Sequence, residues 1–109
     1  MANFITLRKN SEYKKVYVTG RSVANRFFVI FAITNSLNNS RFGFSVGKKI
    51  GKAVLRNRIR RLLKEICRLN NDIFPVGYDF VILARKDVVT LNFDQMKNHL
   101  AKLVLKLSK

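Results

Sequence analysis

A chain of 109 residues with 48% hydrophobic content has room for one globular domain with a real core and none for a second. Its formal net charge of +16, set by 22 basic against 6 acidic residues, calls for a polyanionic partner, either nucleic acid or an anionic membrane surface. The acids are scattered, so no carboxylate pair is available for a two-metal nuclease centre, and a lone cysteine and a lone histidine exclude an internal disulfide and a Cys/His metal site.

The longest apolar run, Phe27 to Ile33, falls far short of a membrane span. The opening MANFITLRKN lacks the apolar region of a signal peptide, so a cytoplasmic protein is expected. No acid lies between Glu12 and Glu65, an interval crowded with Lys and Arg, so the positive field belongs to the first two-thirds of the fold.

In chain order, Ser11 to Val18 reads as a short helix with Ser11 as N-cap and Gly20 as terminator. Tyr13 and Tyr17 sit one turn apart on it, either as two core aromatics or as a platform able to stack on exposed bases. Arg26 to Thr34 (RFFVIFAIT) has the β-branched and aromatic content of a central strand. Phe27, Val29, Phe31 and Ile33 point one way, Phe28, Ile30 and Ala32 the other. After a polar turn at Asn35 to Ser40, the segment Arg41 to Gly47 (RFGFSVG) alternates again, and the two strands are expected to pair as an antiparallel hairpin. Gly43, Ser45 and Gly47, on one side of the second strand, permit the close approach of a neighbour or a ligand.

Gly47 to Lys52 (GKKIGK) lacks the spacing of a P-loop, which argues against triphosphate binding. A long helix begins near Lys52 or Ala53. At about 100° per residue, Leu55, Ile59, Leu62, Leu63, Ile66 and Leu69 form its buried stripe. Asn57, Arg60, Arg61, Lys64 and Arg68 lie opposite, with Arg56 and Arg58 flanking the stripe. Only Glu65 supplies a counter-charge, at i,i+4 from Arg61 in the less favourable order, so the remaining cations repel one another unless an outside anion neutralises them. Cys67 reads as a small helix-flank residue rather than a redox centre. Asn70, Asn71 and Asp72 end the helix, Pro75 and Gly77 turn the chain, and Tyr78 to Arg85 (YDFVILAR) forms another strand, joined to the sheet through a β-α-β crossover and parallel to its neighbour.

Asn92 with Gln95 resembles a capping box before a helix whose Phe93, Met96, Leu100, Leu103, Val104 and Leu107 face the core. Lys97, Lys102, Lys106 and Lys109 form its solubilising face, and His99 is a surface or edge residue. The order helix, strands, long helix, strand, helix gives an α+β sandwich, one sheet with helices against it. A basic helix combined with aromatics on a short helix and on a sheet suits single-stranded RNA, because guanidinium forks match phosphate oxygens and exposed rings match unstacked bases. Helix-turn-helix reading of duplex DNA is disfavoured, since the long helix has no partner helix at the required spacing.

Nearly the whole chain, from LRKNSEYKKVYVTG through SVANRFFVIF and RFGFSVGKKIGKAVLRNRIRRLLKE to YDFVILAR, resembles the protein subunit of bacterial ribonuclease P. The most specific part is KKIGKAVLRNRIRRLLKE, similar to the family's RNR signature helix. The resemblance implies a ribonucleoprotein in which a large RNA removes the 5′ leader of precursor tRNA and the protein assists, with no catalytic residue in this chain. It assigns binding of the catalytic RNA to Arg56, Asn57, Arg58, Arg60, Arg61 and Lys64, together with Lys48, Lys49 and Lys52. It assigns the single-stranded leader to a cleft between the first helix and the sheet, with Tyr13, Tyr17 and Phe31 as its aromatics and Val29 and Phe27 beside them. The family often has Phe where this chain has Tyr13 and Tyr17, and Tyr where it has Phe31.

The same resemblance implies α-β-β-β-α-β-α order in one mostly antiparallel sheet, a left-handed β-α-β crossover, and a third early strand around Arg21 to Ala24. Magnesium is expected in the holoenzyme, at the RNA's active site, and no metal ligand is expected in this chain. The partners are the catalytic RNA and precursor tRNA, with no membrane and no obligate protein partner. The competing class is a structural RNA-binding protein such as a ribosomal protein, which shares size and charge but needs no leader cleft.

Overall fold

The alternation read in RFFVIFAIT is the geometry of the sheet's interior. The computed structural model describes residues 4–107, and in it Phe28–Thr34 forms a strand with Phe28, Ile30 and Ala32 buried and Val29, Phe31 and Ile33 half-buried on the other side. The elements run β1 (Ile5–Thr6), α1 (Asn10–Thr19), β2 (Arg21–Ala24), β3 (Phe28–Thr34), β4 (Arg41–Val46), α2 (Ala53–Leu69), β5 (Tyr78–Ala84) and α3 (Phe93–Leu107). Short 3-10 turns precede α2, follow it, and follow β5. Lys109, expected on the outer face of α3, lies outside the described residues.

The five strands are ordered β1-β4-β5-β3-β2. One expectation is corrected here. β3 and β4 do not form a hairpin, because β5 lies between them, antiparallel to β3 and parallel to β4. The hairpin is instead β2–β3, closed by Asn25, whose Oδ1 accepts from the N–H groups of Phe27 and Phe28 at 2.8 and 2.9 Å. The sheet is antiparallel through β2, β3 and β5, while the α2 crossover makes β4 and β5 parallel and β1 joins β4 in parallel. The early strand at Arg21–Ala24 and the parallel β4–α2–β5 unit are as expected.

One face of the sheet carries the main core. Phe28 and Ile30 of β3, Phe42 and Val46 of β4, and Phe80 and Ile82 of β5 meet Ile59, Leu63, Ile66 and Cys67 of α2 and Met96, Leu100, Leu103 and Val104 of α3. Cys67 is thus a core residue rather than a flank one, and burial pushes its thiol well above the usual range, which leaves it inert as a nucleophile. Leu69 departs from the expected stripe. It is 57% exposed, because it occupies the last position of α2, next to the Asn70 cap, whose Nδ2 donates back to the Ile66 carbonyl. The capping box at α3 is complete: the Asn92 N–H donates to Gln95 Oε1 and the Gln95 N–H to Asn92 Oδ1, both at 2.9 Å.

Among the described residues α1 is the one helix on the other face, where it and the segment before it pack around a small cluster of Leu7, Val16 and Val81. The cap of α1 is not Ser11 but the segment before it. Glu12 Oε1 accepts from the backbone N–H groups of Arg8 and Lys9 at 3.1 and 3.0 Å, the carboxylate half of a capping box whose N-cap, Lys9, lies two residues before Ser11. Gly20 ends α1 at φ −81°, an ordinary value, and its lack of a side chain serves proximity: a Cβ there would stand 2.5 Å from the Val16 carbonyl oxygen and 2.8 Å from that of Ala32.

Candidate nucleic-acid interface

The outward face of α2 is as the 3.6-residue period requires. Val54, Asn57, Arg60, Arg61 and Lys64 line an open groove of about 550 Å³. No acid tempers it: Glu65 is engaged by Arg68, at i,i+3 and 2.6 Å, rather than by Arg61. Among the described residues Arg58, Arg60, Arg61 and Lys64 make no ion pair. Arg60 Nη1 donates to Asn57 Oδ1 at 2.9 Å, which fixes the direction of both side chains. Arg56 behaves differently from its neighbours: it is half-buried, and its Nε donates to the Gly51 carbonyl at 3.1 Å, tying the start of α2 to the turn before it.

A second surface lies on the α1 side of the sheet. α1 is ten residues long and leaves Val29 and Phe31 of β3, Ser45 of β4 and Leu83 of β5 half-buried. The ladder sets these residues side by side, Val29 opposite Leu83 and Ser45 opposite Leu83. The two tyrosines divide the alternatives between them. Tyr13 is wedged over β4: its hydroxyl accepts from the Phe44 N–H at 3.1 Å, and its ring occupies the space a Cβ at Gly43 would need, 2.7 Å away. Tyr17 is 37% exposed and meets the Phe31 ring edge-on, with centroids 4.9 Å apart and planes at 85°. Tyr17, Phe31 and Val29 therefore share an accessible aromatic and aliphatic face.

Phe27 does not join that face. The Asn25 turn places it before β3 begins, so the strand's alternation does not reach it, and its ring packs 4.5 Å from the His99 ring of α3 on the main-core side. His99 is accordingly the half-buried edge residue expected, its Nδ1 3.3 Å from Asn25 Nδ2.

An ionic network clamps α1 to the sheet. Arg41 gives Nε and Nη2 to the two carboxylate oxygens of Asp79, at 2.8 and 2.6 Å, and Nη1 to Glu12 at 2.9 Å. Asn35 Nδ2 adds a fourth bond, to Asp79 Oδ1 at 2.9 Å. Burial alone would raise the Asp79 pKa, but hydrogen bonds from Arg41 and Asn35 and the Arg41 charge outweigh it and hold the carboxyl below its ordinary value. Glu12 is also lowered, by the Lys9 and Arg8 backbone N–H groups first and then by the Arg41 charge. One carboxylate thus caps α1 and pairs with the guanidinium that is forked onto β5.

The open face runs into a basic cleft at the carboxyl ends of β4 and β5. The cleft, of about 580 Å³, is lined by Ser45 and Leu83 from the open face and by Lys48, Lys49, Arg85 and Lys86 from the turns beyond it. Arg85 and Lys86 were not singled out from the sequence, although the signal was available: the carboxyl ends of parallel strands open onto a crevice, and both residues directly follow the β5 run. Lys52 is exposed at the N-cap of α2, whose first turn carries no acid. Among the described residues no group of three or more His, Cys, Asp or Glu side chains comes together to hold a metal, and no helix is long and apolar enough to cross a membrane.

A five-stranded sheet with two helices behind it, one short helix in front, and clusters of cations in a cleft and on a helix face defines a basic α+β protein built to hold a polyanion. Comparison with known proteins narrows this class. The family model described as Ribonuclease P matches residues 1–108. The ribonuclease P protein component of Pelotomaculum thermopropionicum is 48% identical over 98 residues, 90% of this chain and 88% of that one. That of Clostridioides difficile is 48% identical over 101 residues, with 88% of each chain covered. Among solved structures, the Staphylococcus aureus ribonuclease P protein superposes with a TM-score of 0.84 at 34% identity over 98% of this chain and 97% of its own. The Thermotoga maritima protein gives 0.84 at 31% identity over 91% and 94%. The chain belongs to the ribonuclease P protein family.

Proposed function

We propose that this chain, as the protein component of ribonuclease P, grips the catalytic RNA through the α2 face and steadies precursor tRNA by holding its single-stranded 5′ leader against the open face of the sheet. The observation that carries this reading is the continuity of the open face with a basic rim. The half-buried Val29, Phe31, Leu83 and Ser45 lead directly into the Lys48, Lys49, Arg85 and Lys86 rim. A strand crossing this path meets rings and aliphatic side chains for its bases and cations for its phosphates. Tyr17 and Phe31 supply the stacking surface; Tyr13, held by the Phe44 N–H, sets the depth of the cleft rather than its outer surface.

On the α2 side, Arg58, Arg60, Arg61 and Lys64, with Lys48, Lys49 and Lys52 near the helix start, neutralise phosphates of the ribonuclease P RNA, and Arg56 braces the entry to the helix. Cleavage of the leader belongs to the RNA, and magnesium is held there; this chain lowers the electrostatic repulsion between two RNAs and favours leader-bearing substrate over product. The ribosomal-protein alternative finds no support in the similarities to known proteins.

Tyr17→Ala and Phe31→Ala are each expected to weaken holoenzyme binding of leader-bearing precursor by about tenfold, in line with roughly 1–3 kcal/mol per stacked base, and to leave mature tRNA binding unchanged. Equal losses for both ligands would remove the leader assignment. Lys64→Ala is expected to weaken binding to the ribonuclease P RNA and to reduce the slope of log K against log salt by about 0.7–0.9, one phosphate contact. An unaltered slope would exclude Lys64 from the contact.

A further inference from the structure

The α2 groove contains a residue that phosphate neutralisation does not use. Val54 is 80% exposed, the highest exposure among the large hydrophobic side chains of the described residues. It stands at the N-terminal end of the row that continues through Asn57, Arg61 and Lys64, one helical turn to the next. A β-branched side chain on an open helix surface gains nothing for the helix, where alanine is the better former. Nor does it pack against the core, which α2 reaches through Ile59, Leu63, Ile66 and Cys67.

The groove is graded along its length. Val54 presents two methyl groups at one end. Asn57 follows, its Oδ1 already accepting from Arg60, so that what it offers a ligand is its Nδ2 hydrogens, for which no described residue serves as acceptor. Arg60, Arg61 and Lys64 close the other end. At about 550 Å³ the groove falls within the roughly 300–1,000 Å³ range of small-ligand sites. Apolar surface, a free donor and cations within one groove match the three kinds of group an unstacked nucleotide offers: the faces of base and ribose, the acceptors on the base edge, and the phosphates.

We infer that this groove is a single-nucleotide subsite for the ribonuclease P RNA, with Val54 against the ribose and base of one unpaired nucleotide, Asn57 Nδ2 donating to an acceptor on that base, and Arg60, Arg61 and Lys64 on the adjoining phosphates. The inference rests on the proposed assignment of the α2 face to the RNA. It adds that recognition by this helix has a component independent of charge, directed at a splayed nucleotide rather than at a regular duplex.

The test uses the full chain and the ribonuclease P RNA, with affinity measured across a salt series for the parent, Val54→Ala, Val54→Thr and Lys64→Ala. Val54 is 80% exposed, so both Val54 variants are expected to keep the fold, checked by circular dichroism. Val54→Ala is expected to weaken binding about fivefold, the loss of partly buried methyl groups, at every salt concentration and with an unchanged slope. Val54→Thr, which keeps the branched shape and one methyl, is expected to fall between Val54→Ala and the parent. Lys64→Ala is expected to reduce the slope. Parent-like affinity for Val54→Ala alongside a reduced slope for Lys64→Ala overturns the subsite while leaving the RNA-binding face in place. A changed slope for Val54→Ala overturns it as well, because the residue would then be acting through phosphate contacts. If no variant alters affinity or slope, the assignment of the α2 face to the RNA falls, and the subsite with it.

Discussion

Replacing Arg41 with methionine is expected to destabilise the fold by about 3 kcal/mol, near the lower end of the roughly 3–5 kcal/mol found when one partner of a buried ion pair is removed. The lower end applies because the Arg41 side chain retains 27% exposure, whereas the Asp79 side chain retains 8%. Methionine preserves much of the packed volume but strips Asp79 of its bidentate partner, leaving the Asn35 amide to face a buried carboxylate alone. Glu12 loses its bond to β4 as well, and with it the only ion pair that joins α1 to the sheet among the described residues. Urea denaturation at neutral pH measures the loss. The double variant Arg41→Met/Asp79→Asn is expected to recover a large part of it, since the penalty lies in the uncompensated charge.

The pH dependence of this network has a definite sign. In the parent, the folded-state pKa values of Asp79 and Glu12 are both lowered, so their contribution is fully present above the unfolded-state values, about 4, and is lost as pH falls through the folded-state values. In Arg41→Met, burial dominates at Asp79 and raises its pKa. The penalty is then greatest at neutral pH and shrinks on acidification, as protonation removes the buried charge. The two stability curves should converge toward pH 3; parallel curves would show that Asp79 is not the source of the loss.

The second large effect is expected at Gly43. A methyl group there would lie 2.7 to 2.9 Å from three atoms of the Tyr13 ring, an aromatic held between α1 and β4 by the Phe44 hydrogen bond. Gly43→Ala is therefore expected to destabilise the fold by about 1–3 kcal/mol through overpacking and to lift α1 from the sheet. Because α1 forms one wall of the open face and α2 lies on the opposite side, binding of leader-bearing precursor should fall while affinity for the ribonuclease P RNA stays near the parent value. Adding Tyr13→Leu removes the clash and should restore stability, a coupling that a double-mutant cycle reads directly. Equal loss for the two RNAs would mean that the damage is global.

Much of the architecture was legible wherever it depended on local periodicity. The β3 alternation, the apolar stripe of α2 from Leu55 to Ile66, and the Asn92–Gln95 box each express contacts within a few residues of one another. Strand pairing is different in kind. The patterns of RFFVIFAIT and RFGFSVG say which side of each strand is apolar but not which strand lies alongside, and β5, arriving from far along the chain, takes the position between them. β2 has no apolar alternation at all, being an edge strand with only Val23 half-buried, and was placed by resemblance rather than by pattern. Phe27 falls on the core side rather than beside Val29 and Phe31 because one side-chain oxygen, that of Asn25, starts the strand two residues later than its composition suggests. The cationic face of α2 was legible because a helix displays its charge every three or four residues; the Lys48, Lys49, Arg85, Lys86 rim was not, because it joins turns that only the folded sheet brings together.

The central position of β5 also governs the order in which the protein is able to form. Both of its neighbours are synthesised well before it, β4 ending at Val46 and β5 beginning at Tyr78, so a nascent chain carries the inner edges of β3 and β4 unpaired while residues 47–77 emerge. At about 5–20 residues per second, that interval lasts seconds, long compared with the microseconds in which a hairpin such as β2–β3 closes. Folding therefore waits on the insertion of one late strand into a gap between two early ones, and until it arrives the α2 stripe has no complete sheet to cover. Truncation before Tyr78 removes the piece that joins the two halves rather than an edge, and leaves two open β edges where the finished protein has its most protected hydrogen bonds.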